Sequence, residues 1–575
     1  MAENIPTFRV NIDEAGIVDA DASADRLFAY CIEADRGPVM EPKFIASATE
    51  AQRLYGVDFR PHFYQNPTGL LITRVGFEDM KYAYVEYKAY PLKDGENDTR
   101  VPDTSAEPET VLTIAAKYEG PCKHKVKIVK AASSGEGFNL TVDIDDGVRE
   151  GEDKLLISKQ YQNLSLEEIV SRINRTFGDF IQAKLHEDNY EAKYVPVGVT
   201  PEENSGKEAF QEEQFIGLTK EEVLADGGLL TGGSNGKMRD EAGNVLDIDV
   251  DDAENGLGRA PSPDDEPGTA NSEQTRRLAY RDAFDKTAEH DVLGVATLSD
   301  SLGVQTELIN HIDYMADPEV YTYRFGITGY LDYDENTPTS ATLPKLRRAA
   351  QAINNPFIIF IGQGVEFKPE YEDSIKLKPY EAVQLYTGIR SSLGYAEAIF
   401  GGEQKKVLRG VIDTLPLTTD GTKITKDDIV ELNEAGVCTF KKEYGEITFV
   451  EGVTTVDKDV NDVMSYENLM SIIVYVTKRL VRISRPYQGQ RLTEDLKSTL
   501  QTALSAELKN ITETDGTLMA LEDFNIPPYD VQVYSAAKTK FNEAHKLVRE
   551  SKIIIQCRIV PIGALRDIDL FVWAI

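Results

Sequence analysis

Residues 552–575 read KIIIQCRIVPIGALRDIDLFVWAI, two strands broken at Pro561. The second strand puts Ile568, Leu570, Val572 and Ala574 on one face. Phe571, Trp573 and Ile575 occupy the other, beyond Asp567 and Asp569. A strand with apolar residues on both faces requires cover on both sides. At the end of a chain it is also an unpaired edge, which aggregates or pairs with another molecule by design. The opposite end offers a match: in TFRVNID, residues 7–13, Phe8, Val10 and Ile12 alternate with polar residues as in a half-buried strand. Two terminal strands predict a subunit that builds an assembly by exchanging strands with its neighbours. Phe8, Val10 and Ile12, with Ile568, Leu570, Val572 and Trp573, are the residues expected to carry the exchange. Pairing of the strands within one chain is the alternative.

The remaining composition narrows the class. At 575 residues the chain has room for about three or four domains. Its 41% hydrophobic and 28% charged residues are ordinary for globular protein. No charged-then-apolar leader opens it, and no apolar run approaches the roughly 18 residues that span a bilayer. The expectation is a protein made and folded in a cytoplasm, without membrane insertion. A net charge of −35 argues against direct nucleic-acid binding, which needs a basic footprint, and favours solubility at high concentration. Cys31, Cys122, Cys438 and Cys557 form no CxxC pair and read as buried or surface thiols rather than metal ligands or disulfides.

Along the chain, residues 21–90 read as a compact α/β piece: a strand at 28–32, a turn at 36–38, a helix at 48–55 ended by Gly56, and a strand at 70–72. Residues 91–110 are a polar, proline-bearing linker. Strands at 126–129 and 138–144 and a helix at 164–177 follow, then a Gly-, Asp- and Pro-rich stretch at 231–275 that reads as a loop or disordered excursion. Apolar runs at 293–298, 320–327, 357–361 and 410–412 suit buried parallel strands. These would share one sheet with the first 90 residues, the intervening part being inserted. A helix over 465–485, with Ser465 as cap, gathers Leu469, Ile472, Ile473, Val476, Leu480 and Ile483 on one side at about 100° per residue. Lys478, Arg482 and Arg485 gather opposite, with Arg479 flanking. Such a basic face is either solvated or meets an acidic partner. A second helix, over 493–511, carries Leu496, Leu500, Leu504 and Leu508 at four-residue steps and stops before Gly516.

Enzymatic readings find little to stand on. TGGSNGKMRD, residues 231–240, imitates a phosphate loop, but Thr231 stands where its first glycine belongs and Met238 follows Lys237 in place of Ser or Thr. Asp247, Asp249 and Asp251 imitate a calcium loop, but Asp252 replaces the turn glycine and Gly258 the closing glutamate. Ser391 and Ser392 have no recognisable companion among the six histidines. No catalytic residue, metal or cofactor is expected.

The order of these pieces resembles the contractile tail sheath proteins of bacteriophages. CIEADRGPVMEPKFIASATEAQRLYGVDF (31–59) and NPTGLLITRVGF (66–77) are similar to the family's opening. AAKYEGPCKHKVKIVK (115–130) resembles the start of its β-sandwich insert, and LLTGGSNG (229–236) the exit. ELNEAGVCTFKKEYGEITFVEGVTT (431–455), SYENLMSIIVYVTKRLVRI (465–483) and IIIQCRIVPIGALRDIDLFV (553–572) resemble its closing domain. Val450 and Glu451 stand where many members carry a tryptophan, and the acidic stretch 239–266 is an addition.

The resemblance implies a multidomain α+β chain. An N-terminal arm strand (1–20) would precede a discontinuous, subtilisin-like α/β middle domain (21–95 and 276–416). A β-sandwich-like outer domain (105–235) would be inserted in it, followed by an acidic flexible excursion (236–275). A C-terminal α+β inner domain (417–575) would end in the arm 552–575, completed by strands exchanged between subunits. It further implies hexameric rings stacked helically around an inner tail tube, with baseplate and tail terminator proteins as further partners, in a virion. Contraction would drive the tube through the host envelope for genome delivery, without nucleotide. Lys478, Arg479, Arg482 and Arg485 become the tube-contact candidates. The sheath of a phage-tail-like bacteriocin or of a type VI secretion system would use the same mechanics; a hydrolase is the remaining alternative.

Overall fold

Uninterrupted apolar runs lie at the centre of the molecule because a parallel sheet covered on both faces has no polar side. The computed structural model describes residues 26–65, 67–89, 107, 109–130, 137–145, 155–186, 214–215, 230, 232–240, 242–250, 271–317, 320, 322–333, 339–370, 372–401, 406–415, 425–443, 445–458, 462–490, 493–521, 525–535, 538–541, 547–550 and 553–562. Its main sheet has seven strands in the order Val437–Cys438, Ile358–Ile361, Phe325–Gly329, Gly294–Thr297, Phe28–Ile32, Leu70–Arg74, Lys43–Ile45. All run parallel except the outermost, Lys43–Ile45, which pairs antiparallel with Leu70–Arg74. Strands from either side of the insert therefore share one sheet.

Alternate residues of this sheet feed two cores. Phe28, Tyr30, Ile32, Ile72 and Ile327 pack with the Val383–Ser392 helix, and Met470 and Val474 of the helix Glu467–Ser484 join them. Ala29, Cys31, Val295 and Ile358 face the other way, against the helices Ser272–Ala288 and Leu302–Ala316. Six of the described helices start where a polar side chain accepts an orphan amide: Ser47, Ser165, Asn271, Ser301, Thr425 and Thr493 serve as their N-caps. Gly56 ends the Ala48–Tyr55 helix at φ 74°, a left-handed position that glycine takes without strain.

Three expectations are corrected. The run at 410–412 does not join the parallel sheet. Val411–Thr414 pairs antiparallel with Val365–Phe367 in a separate three-stranded sheet, where Ile412 is exposed. The parallel slot goes to Val437–Cys438, both wholly buried after the left-handed turn at Gly436. Ser465 does not cap the long helix: it closes the short helix Asp462–Ser465, and Tyr466 takes the cap position without a side-chain bond. Part of the acidic stretch is ordered, Lys237–Arg239 pairing antiparallel with Val245–Asp249.

The insert holds a four-stranded sheet, Gln214–Phe215, Tyr84–Ala89, Glu109–Ala116 and Ile181–Leu185, and a three-stranded one, Lys125–Lys130, Phe138–Asp145 and Leu155–Leu164, so Tyr84–Ala89 pairs within the insert and not with the middle domain expected over 21–95. In Phe138–Asp145 every second residue is buried. Phe138, Leu140, Val142 and Ile144 share a core with Leu112 and Ile114 of the other sheet and with Ile169 and Ile173 of the Leu166–Thr176 helix.

Candidate assembly surfaces

The last described part of the chain is a long β-ribbon. Tyr529–Ser535 pairs antiparallel with Ile553–Ile559, and the same offset continues from Lys538↔Glu550 to Phe541↔Leu547. One face of the ribbon, through Val531, Val533, Ile555, Cys557 and Ile559, packs with Leu500, Leu504 and Leu508 of the helix Glu494–Asn510. The other face presents Gln532, Tyr534, Gln556 and Arg558 to solvent. The alternation in YDVQVYS (529–535) is the sequence signal for this ribbon.

The two edges of the ribbon differ. Gln501 Nε2 donates to the Val531 carbonyl at 3.3 Å, so a helix side chain occupies part of the Tyr529–Ser535 edge. On the returning strand, Val560 N–H donates to Pro528 O at 2.9 Å, which turns the backbone groups of Ile555, Cys557 and Ile559 to the outer edge. Among the described residues no strand pairs with that edge. Past Ile559 the chain is covered again, Met519 N–H donating to Val560 O at 3.0 Å and Ile562 N–H to Thr517 O at 2.9 Å. The exchange residues named from the sequence, Phe8, Val10, Ile12, Ile568, Leu570, Val572 and Trp573, all lie outside the described residues.

The basic face of the Glu467–Ser484 helix has acidic neighbours from distant parts of the same chain. Lys478 Nζ donates to Asp291 Oδ1 at 2.6 Å and to the Val292 carbonyl at 2.8 Å. Arg482 reaches the same carboxylate at 3.6 Å, and Arg479 is ion-paired with Glu507 at 2.5 Å. Burial alone would raise the Asp291 carboxyl; Lys478 and the nearby arginines outweigh it and hold it below the usual range. Lys478 is largely covered and Arg479 partly so, whereas Arg482 and Arg485 are exposed. Asp291 lies 187 positions from Lys478, beyond any helical spacing rule.

The stretches that imitate chemistry have structural occupations. Lys237 Nζ sits 2.9 Å from Asp247 and 3.1 Å from Asp249, so a lysine holds the carboxylates that a calcium ion would need. The glycines of TGGSNG allow close backbone approach: a Cβ on Gly233 would stand 2.1 Å from the Gly120 carbonyl oxygen, and one on Gly236 2.4 Å from that of Glu78. Ser391 is buried and donates to Gly388 O at 2.9 Å, while Ser392 donates to Ile389 O at 2.7 Å. Among the described residues no group of His, Cys, Asp or Glu is arranged to hold a metal ion, and no helix is long and apolar enough to cross a membrane. A cleft of about 280 Å³ lies beyond the carboxyl ends of Phe28–Ile32 and Leu70–Arg74, where open α/β sheets bind ligands. Its lining carboxylate Glu33 is held by Arg276 at 3.1 Å, and the same guanidinium binds Asp300 at 2.9 Å. Burial raises the Glu33 carboxyl against the pull of Arg276.

With its mainly parallel sheet, two-sheet insert and ribbon-ended helical part, this chain has the fold of a sheath tail protein. It aligns with the sheath tail protein of Desulfitobacterium hafniense over 92% of its own length and 96% of that chain, with a TM-score of 0.52 at 11% identity. The sheath tail protein Lin1278 of Listeria innocua aligns over 93% and 97%, with a TM-score of 0.47 at 11% identity. The helical sheath of the anti-feeding prophage in its contracted state aligns over 51% and 73%, with a TM-score of 0.37 at 16% identity. No family model and no curated protein matches the sequence.

Proposed function

We propose that this chain is the structural subunit of a contractile phage tail sheath, acting without catalysis. The observation that carries the reading is the sheath-protein fold over 92% of the chain; the ribbon with an open outer edge supports it. Subunits form hexameric rings that stack around an inner tail tube, with the baseplate at one end and a terminator at the other. The terminal strands of neighbouring subunits, through Phe8, Val10 and Ile12 and through Ile568, Leu570, Val572 and Trp573, add to the ribbon edges, where backbone hydrogen bonds give affinity and alternate side chains give register. On triggering, subunits rotate outward while these links hold, and the tube is driven through the host envelope. In this reading the α/β part is the subtilisin-like middle domain, the insert lies outermost and the C-terminal part faces the tube. Arg482 and Arg485 are the foremost tube contacts, with Lys478 and Arg479 beside them.

Electron microscopy of the purified chain, alone and with its tube protein, tests this. Hollow six-fold tubes without nucleotide are expected. Monodisperse subunits under both conditions overturn it. Deletion of residues 566–575 is expected to leave a folded subunit that does not assemble, and full assembly by that variant refutes the exchange.

A further inference from the structure

The insert is joined to the α/β body by more than its two covalent connections, and the joint centres on one arginine. Arg74 is the last residue of the next-to-edge strand Leu70–Arg74 and is wholly buried. Its Nη1 donates to the Gly37 carbonyl at 2.8 Å and to the Glu119 carbonyl at 2.7 Å, and its Nη2 to Asn235 Oδ1 at 3.0 Å. Gly37 belongs to the body, Glu119 to the middle of the insert, and Asn235 to the returning chain. A guanidinium without access to water must find acceptors inside the protein, and its rigid fork fixes where they stand. Here they come from three separate passages of the chain.

The surrounding backbone is equally committed. Lys81 N–H donates to Ser234 O at 3.0 Å, Ser234 N–H to Lys81 O at 3.2 Å, and Gly120 N–H to Lys81 O at 2.9 Å. Outgoing, crossing and returning chain are thus laced together at one point. Gly120 has φ 129°, yet it is no hinge: a Cβ there would stand 2.2 Å from the Asp35 carbonyl oxygen and 2.7 Å from Arg74 Nη2. Arg36, also buried, adds a second tie, donating to the insert's Asp145 carbonyl at 2.6 Å and to the body's Gln52 carbonyl at 2.8 Å.

We propose that Arg74 is the seat on which the insert is held at a fixed angle to the body, so that insert and body move as one unit. The seat is a property of the single chain and stands whether or not the chain is a sheath subunit. Removing the guanidinium leaves acceptors on three passages without their donor, and the insert is then tethered by Arg36 and by backbone that water can open. A lysine keeps the charge but not the fork, and cannot serve all three acceptors.

Pulsed dipolar spectroscopy between two spin labels on the unassembled full chain tests this. One label is placed in the insert by Gln160→Cys and one on the body by Thr306→Cys, both exposed positions, with Cys557→Ser; Cys31, Cys122 and Cys438 are buried. A single narrow distance distribution is expected. Arg74→Ala and Arg74→Lys are expected to broaden it at least twofold with the circular dichroism of both domains retained, and Asn235→Ala to broaden it less. A folded Arg74→Ala variant with the original width overturns the seat, as does a broad distribution in the parent. Should the arginine variant not fold, an unchanged width in Asn235→Ala overturns it equally.

Discussion

The two main β structures of this chain are built to opposite specifications. In the seven-stranded sheet, Phe28–Ile32, Leu70–Arg74 and Phe325–Gly329 are buried at every position. Its five interior strands are paired on both sides, and both faces are covered by helices. The C-terminal ribbon has two strands, one packed face, one solvated face and an outer edge that no described strand covers. A two-stranded ribbon is marginal by itself; this one stands because the Glu494–Asn510 helix supports it. The sheet holds the chain together, and the outer edge of the ribbon is left without a described strand partner.

Acid is expected to break the first specification most severely. Burial pushes the imidazoles of His62, His124 and His311 down to about 3, with Arg36 adding to the effect at His124 and Arg324 at His311. In the unfolded chain each takes up a proton near pH 6.5; in the folded chain each stays neutral until about pH 3. Stability is therefore fully present above about pH 6.5 and is lost as pH falls toward 3, by at most about 1.4 kcal/mol per histidine per pH unit. Thermal unfolding at pH 7.5, 6 and 5 measures this. An unchanged melting temperature across that series contradicts the buried neutral assignment. His62 and His311 sit on the two faces of the sheet and His124 in the insert, so the ribbon is expected to take little direct part.

A pair of isoleucines sharpens the comparison at intermediate size. Ile72→Ala empties a wholly buried site in the sheet and is expected to cost about 2–5 kcal/mol in denaturant unfolding. Ile555→Ala trims a half-buried residue of the ribbon and is expected to cost about 1 kcal/mol. The order should reverse in assembly, where Ile555→Ala impairs tube formation more than its stability loss explains. Equal stability losses would remove the distinction between the two regions.

The smallest expected effect separates the basic residues. Lys478→Ala loosens the tie to Asp291 and Val292, and since Asp291 is partly exposed the loss of stability is expected within about 1 kcal/mol. Arg485→Glu is expected to cost no more than about 1 kcal/mol of stability and to reduce co-assembly with tube. Similar co-sedimentation with tube by the Arg485 variant and the parent would remove Arg485 as a contact.

Much of the local structure was legible in the residues. The Ala48–Tyr55 helix with its Gly56 stop, the 126–129 and 138–144 strand pair, and the leucine-stepped helix 494–510 follow from spacing and caps that act within a few positions. The Glu467–Ser484 helix was legible in extent but not in role. Its apolar side reads as one stripe, yet Met470 and Val474 enter the sheet's core while Ile472 and Val476 enter the ribbon's. Glu467, at its first turn, is wholly buried beside Arg390, whose Nε lies 3.3 Å from it. A helix buried on more than one side carries apolar residues, here Met470 and Val474, beyond the one stripe its period shows.

What the sequence determines by itself here is what short-range physics controls: the types of most elements, the apolar strands that need cover, and the departures of the glycine-rich and aspartate-rich stretches from the phosphate-loop and calcium-loop patterns. Tertiary structure alone decided that Val437–Cys438 rather than 411–414 closes the parallel sheet, that Asp291 takes up Lys478, and that Arg74 binds three passages of chain. Each of those choices joins residues tens to hundreds of positions apart. They turn on which groups find partners once water is excluded, and no periodicity along the chain records that.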